Sequence, residues 1–125
     1  MRLLLDTHIY LWWLIDDVRL SAKGRATIAS ATEVFVSSAS IWEASIKVGL
    51  GKLNADISRL VSEIAVSGFR ELPVTAKHAS AIADLPNVHR DPFDRMLIAQ
   101  AMTESVRLLT ADILLGQYTD LVELA

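Results

Sequence analysis

Apolar residues along this chain keep two rhythms. Short runs rich in large or β-branched side chains occupy Arg2 to Asp6, Glu33 to Val36, Phe69 to Val74, Arg107 to Thr110 and Leu121 to Leu124. Runs of that length predict buried strands, the last of them at a sheet edge. Between them the period is helical. Ser21 to Thr32 is rich in Ala behind a Ser; Ser40 to Gly49 sets Ile41, Ala44, Ser45 and Val48 on one face; Asp56 to Val66 does the same with Ile57, Leu60, Val61 and Ile64. Thr75 to Ala83 and Pro92 to Met102 predict two more helices. The run Ile9 to Ile15 is apolar on nearly every side and carries Tyr10, Trp12 and Trp13. A one-sided surface helix does not need that, so one of its faces is expected to meet another chain.

Strands alternating with helices predict an α/β fold, a mainly parallel sheet covered on both faces in a three-layer α/β/α sandwich. No linker interrupts the chain, and Pro86 to Pro92 reads as a loop, so residues 1–125 are expected to form a single domain. In open sheets of this kind ligands bind beyond the carboxyl ends of the strands. The residues that close each strand are therefore the ones that bear on function.

Composition narrows the chemistry. With 52% apolar residues and only five Gly and three Pro, the chain can bury a core and is neither disordered nor fibrous. Its longest apolar run, Ile9 to Ile15, falls far short of the about twenty residues of a membrane span. Arg2 is followed by three Leu and at once by Asp6, which lacks the apolar stretch and cleavage site of a secretory signal and predicts a cytoplasmic protein. Zero cysteines exclude disulfides, thiol nucleophiles and Cys-based zinc sites. A net charge of −3 is the opposite of what a sequence-independent nucleic-acid binder carries, so any nucleic-acid substrate must be drawn by a local site.

Four acids stand at the predicted strand ends. Asp6 closes the first strand, Glu43 lies one turn into the helix after the second, Asp94 one turn into the helix from Pro92, and Asp112 just beyond the Arg107 to Thr110 strand. In a parallel sheet Asp6, Glu43 and Asp112 emerge on one edge, which the start of the Pro92 helix can join. At about 5 Å and an effective dielectric near 20, each like-charged pair costs roughly 3 kcal/mol, so the group needs protons or a cation. Oxygen ligands suit Mg²⁺ or Mn²⁺, and such a cation beside substrate phosphate points to phosphodiester hydrolysis. Each acid alone has a plainer use. Ser40-Ile-Trp-Glu43 fits a capping box, Asp91-Pro92-Phe-Asp94 fits an N-cap with Pro at N1, and Asp112 can cap a short helix.

Taken in order, Leu4-Leu5-Asp6-Thr7-His8, Ser37-Ser38-Ala39-Ser40-Ile41-Trp42-Glu43, Asp91-Pro92-Phe93-Asp94-Arg95-Met96-Leu97-Ile98-Ala99-Gln100-Ala101 and Leu109-Thr110-Ala111-Asp112 resemble the signature blocks of a PIN-domain nuclease. More narrowly the chain is similar to the VapC-type toxins of bacterial toxin-antitoxin pairs. The resemblance implies an acidic pocket binding Mg²⁺ or Mn²⁺ and an endoribonuclease that arrests growth by cutting RNA, with transfer or ribosomal RNA loops as substrates. It implies metal-holding, catalytic roles for Asp6, Glu43, Asp94 and Asp112, a supporting or capping place for Asp91, and hydroxyl positions near the metal for Thr7, Thr110 and, less directly, Ser38. It further implies a homodimer and a cognate antitoxin that blocks the pocket with Arg or Lys. Attack by water activated at the metal predicts 5′-phosphate and 3′-hydroxyl ends.

Lys47, four residues after Glu43, suits a helical ion pair or a phosphate contact, and Arg95 beside Asp94 has the same two uses. His8 opens a D-x-H pattern also found in dinuclear phosphoesterases, but their later blocks are missing and it reads as a helix-start or core residue. His78 and His89 have no ligand-spaced partners and receive no role. Gly49-Leu-Gly51-Lys52 fails the phosphate-loop spacing and reads as a helix end. Two other readings compete with the nuclease. A receiver-like signalling domain also binds Mg²⁺ at strand ends, although it needs paired acids after its first strand and a late Lys. A catalytically silent interaction domain would use the acids only as caps.

Overall fold

The computed structural model describes residues 1–125, and in it the five predicted strands join one sheet. They are β1 Arg2–Leu5, β2 Glu33–Ser37, β3 Arg70–Leu72, β4 Arg107–Thr110 and β5 Val122–Leu124. Their spatial order is β3-β2-β1-β4-β5, and every neighbouring pair is parallel. The period of two along each strand explains the two cores. Leu3, Leu5, Val34, Val36 and Leu109 point to one face of the sheet, while Leu4 and Leu108 point to the other. Leu3, Leu4 and Leu5 are all fully buried, and each contributes about 1.5–3 kcal/mol. The central strand is thereby anchored on both sides.

Over the first face lie α1 Thr7–Leu14, α2 Ala22–Ser30, α3 Ser38–Gly49 and α4 Ile57–Val66, contributing Ile9, Tyr10, Ile28, Ala44, Leu60 and Ile64 to its core. The second face is covered by α6 Pro92–Glu104 through Leu97, Ile98 and Ala101, with α5 Ala76–Ala81 packed on α6. This is the expected three-layer α/β/α sandwich, with its sheet parallel throughout. The strand order also separates it from a receiver, whose parallel sheet runs 2-1-3-4-5.

Departures from the sequence reading have local causes. β3 is shorter than Phe69 to Val74, because Gly68 turns into it at φ 79° and Pro73, without an N–H, cannot extend the ladder. The helix over Thr75 to Ala83 tightens into a 3₁₀ turn at Ile82–Asp84, ahead of Leu85-Pro86. Instead of stopping at Met102, α6 runs to Glu104 and ends where Ser105 turns left-handed at φ 55°. Gly51, at φ 73°, closes α3 as a plain helix end. His78, given no role by the sequence, is buried as the reciprocal half of a capping box with Thr75, and its Nε2 lies 2.8 Å from Glu104 Oε1 on α6. No helix is long and apolar enough to cross a membrane.

The aromatic helix α1 is used largely within the chain. Tyr10 donates to Leu60 O at 2.6 Å, and Trp13 packs on Phe69 with ring centroids 5.6 Å apart. Ile15 remains exposed, beside an apolar cleft of about 310 Å³ between α1 and the start of α4.

Candidate active site

The order of the sheet reverses between the neighbours β1 and β4, the chain leaving β1 toward β2 on one side and β4 toward β5 on the other. A crevice opens at such a point beyond the strand ends. Asp6 ends β1 and caps α1, its Oδ1 accepting from His8 N at 3.1 Å. Its Oδ2 accepts from the Thr110 hydroxyl, at the end of β4, at 2.5 Å. Thr110 Oγ1 in turn accepts from Asp112 N at 3.1 Å, and Asp112 caps the 3₁₀ turn Ile113–Gln117 through Leu114 N. Two strand ends are thus stitched together by one hydroxyl.

Glu43 reaches the same edge from α3, only 5% exposed, and its Oε2 accepts from Lys47 Nζ at 2.6 Å. That bond holds the Lys47 ammonium above its ordinary pKa. The Ser40–Glu43 capping box does not form. Ser37 caps α3 instead, since the helix starts directly off β2, and Ser40, inside it, accepts the Thr7 hydroxyl at 2.8 Å. Ser38 faces away toward β3 and accepts from Val74 N at 3.0 Å.

From α6, Asp91 caps the helix by accepting from Phe93 N and Asp94 N at 2.9 and 3.0 Å, with Pro92 at the first position. Those bonds turn Asp94 inward. Burial, followed by the charges of Asp6, Asp91, Glu43 and Asp112, pushes the Asp94 carboxyl up to about 7. Asp6 is raised as well, chiefly by burial and against the Thr110 hydrogen bond. Arg95 points from α6 the other way, donating to Pro86 O at 2.9 Å and to the Tyr118 hydroxyl at 3.2 Å, so it ties down the loop before the helix.

That loop delivers the residue that sequence reasoning missed. His89 Nε2 lies 3.5 Å from Asp94 Oδ2, is buried, and has no hydrogen-bond partner. One donor atom each of His89, Asp94 and Asp112 fall within 4.8 Å of one another, a spacing that suits a metal ion. Asp6 and Glu43 stand outside this tightest triad but raise the Asp94 carboxyl through their charge. His89 precedes Asp94 by five residues across an irregular loop, so no helical or strand period could mark the pair. His89 thus sets an imidazole beside the oxygen donors that the sequence led one to expect. His8, by contrast, sits at the start of α1 with its side chain 57% exposed.

The sequence profile of the PIN domain matches residues 3–120, which includes all four strand-end acids. The chain belongs to the PIN-domain family. Within it, this PIN domain is of VapC type: it is 30% identical over 112 residues to Ribonuclease VapC22 of Mycobacterium tuberculosis, covering 87% of this chain and 85% of that protein. Among solved structures, VapBC2 from Rickettsia felis bound to a promoter DNA fragment superposes with TM-score 0.68 at 17% identity, covering 99% of this chain and 98% of that one. A toxin-antitoxin complex from Klebsiella pneumoniae gives 0.66 at 20% identity, covering 96% and 94%. Those likenesses are of fold. The PIN-domain sheet accounts for why residues from β1, α3, α6 and the end of β4 meet at one edge.

Proposed function

We propose that this PIN domain is a Mg²⁺- or Mn²⁺-dependent endoribonuclease and the toxin of a toxin-antitoxin pair, acting in the cytoplasm as a single-domain protein. The observation that carries the reading is Asp94: a carboxyl pushed up to about 7 by burial and four negative neighbours is a place where a divalent cation replaces a proton. Asp94 and Asp112, with Asp6 and Glu43 beside them, would supply the oxygen donors, and His89 an imidazole that would tilt the preference from Mg²⁺ toward Mn²⁺. A cation bound there supplies the charge that acidifies the attacking water and neutralises the oxygens of the scissile phosphate.

The remaining chemistry belongs to the chain. Thr110 and the His8 N–H hold Asp6 in one orientation, so its carboxylate meets a ligand without rearranging. Lys47, now paired with Glu43 at 2.6 Å, would be free to meet substrate phosphate if Glu43 held a cation instead. A carboxylate at the edge of the cluster accepts the proton of the attacking water. No ribose hydroxyl attack is involved, and the products carry 5′-phosphate and 3′-hydroxyl ends.

The VapC ribonuclease relative and the structural neighbours, which are toxin-antitoxin complexes, support a cognate antitoxin for this chain. The exposed Ile15 and the apolar cleft beside it offer surface for that partner or for a second copy in a homodimer. Incubating the purified chain with transfer or ribosomal RNA in Mn²⁺ tests the reading. Cleavage that stops with EDTA and leaves 5′-phosphate ends supports it, whereas 2′,3′-cyclic phosphate ends or EDTA-resistant cleavage contradict it.

A further inference from the structure

One flank of the acidic edge carries the opposite charge. A cleft of about 350 Å³ is lined by Asp6, His8, Trp12, Arg19, Ala111 and Asp112. Within it the Arg19 guanidinium lies over the Trp12 ring, its Cζ 5.1 Å from the ring centroid. Arg19 Nε and Nη2 donate to the two carboxylate oxygens of Asp17 at 3.1 and 2.7 Å, which leaves Nη1 without a hydrogen bond. This fork sits on a fixed turn. Asp17 N donates to Trp12 O at 2.9 Å, and Leu20 N donates back to Asp17 O at 3.1 Å, with the Leu20 side chain buried in the core. Arg19 nevertheless keeps 64% of its side chain exposed. His8, tilted against Trp12 at 6.0 Å, adds an exposed imidazole to the same wall.

An exposed ion pair contributes only about 0–1 kcal/mol to stability, so fold stability does not require this arrangement. What it produces is a planar cation held over an aromatic ring, with most of its side chain exposed, set beside two of the site's acids. Such a plane is a stacking surface for a nucleobase. A base inside an A-form duplex cannot reach it, because its faces are already stacked.

We propose that this cleft seats one unpaired nucleotide next to the scissile phosphate, its base stacked on the Arg19 guanidinium and its phosphate met by Arg19 Nη1 and His8; the proposal rests on the ribonuclease reading of the site. Trp12 and Asp17 are positioning residues, since they act by holding the guanidinium in place. The Arg19 hydrogen bonds hold the Asp17 carboxyl down to about 2, so Asp17 faces Arg19 as a carboxylate at neutral pH.

Steady-state cleavage of short single-stranded RNA in Mn²⁺ tests this with the wild-type chain, R19A and R19K, after circular dichroism has shown that all three are folded. Loss of one stacked base is expected to raise KM about tenfold in R19A, with the loss falling on KM more than on kcat. R19K keeps the charge without the plane and does not restore KM. An abasic nucleotide at one position flanking the cut weakens wild-type binding by a similar factor and adds nothing to R19A. Wild-type KM in both variants, rescue by R19K, or additive abasic effects overturn the proposal. So does a loss of affinity for a partner peptide with RNA kinetics unchanged, which would give the cleft to protein. RNA left uncut by the wild type brings down the ribonuclease reading itself, and this proposal with it.

Discussion

Thr110 is the residue on which the geometry of Asp6 turns. Its hydroxyl donates to a buried carboxylate and accepts from the backbone of Asp112, so replacing it leaves two groups unsatisfied at once. T110V is expected to lose about 1–3 kcal/mol in denaturant unfolding, with most of the cleavage activity, whereas T110S keeps both. Asp94 gives a prediction of opposite sign. Its folded pKa of about 7 lies above the unfolded value of 3.8, so between those values the folded chain holds a proton that the unfolded chain has released. In EDTA, stability therefore falls as pH rises from about 4 to about 7 and is then flat with respect to this group. D94N removes the burden. Its melting temperature in EDTA at neutral pH is expected to exceed the wild type by about 3–5 °C for each kcal/mol of repulsion relieved, while RNA cleavage drops about a thousandfold or more. The four strand-end acids were legible in the sequence because each abuts an apolar strand or opens a patterned helix. His89 and Arg19 were not, because both sit on irregular turns where spacing carries no direction and only the folded backbone aims the side chain.

Among the elements, α6 shows how capping and chemistry divide between adjacent acids. Asp91 uses its Oδ1 on two backbone N–H groups, and that fixes the first turn from which Asp94 points inward. D91N retains those acceptors and is expected to keep stability and most activity. D91A loses about 1 kcal/mol by thermal unfolding, along with part of the activity through a misplaced Asp94. The helices and strands themselves were largely readable, since alternating cores on both faces of the sheet impose unbroken apolar runs on β1 and β4. Their ends were less so. At Ser37-Ser38-Ala39-Ser40 three hydroxyls compete to cap α3, and only the point where β2 stops decides for Ser37. At Pro73 and Pro86 the missing N–H and the restricted residue before each ring trim elements that hydrophobic pattern alone would extend.

At the scale of the whole molecule, the proposed function requires that one sheet edge gather more negative charge than it can hold without a cation. A cation that binds only the folded state at a hundredfold excess over Kd adds about 2.7 kcal/mol, so melting temperature should climb with Mn²⁺ and return with EDTA. Calorimetric titration of the metal-free chain with Mn²⁺ is the most direct test, performed at about pH 6.5 in two buffers of different ionisation enthalpy. Saturable uptake is expected, accompanied by release of the proton that Asp94 holds near its pKa of about 7, with both signals lost in D94N. Absence of binding heat in the wild type, or uptake of Mn²⁺ by D94N equal to that of the wild type, would contradict it.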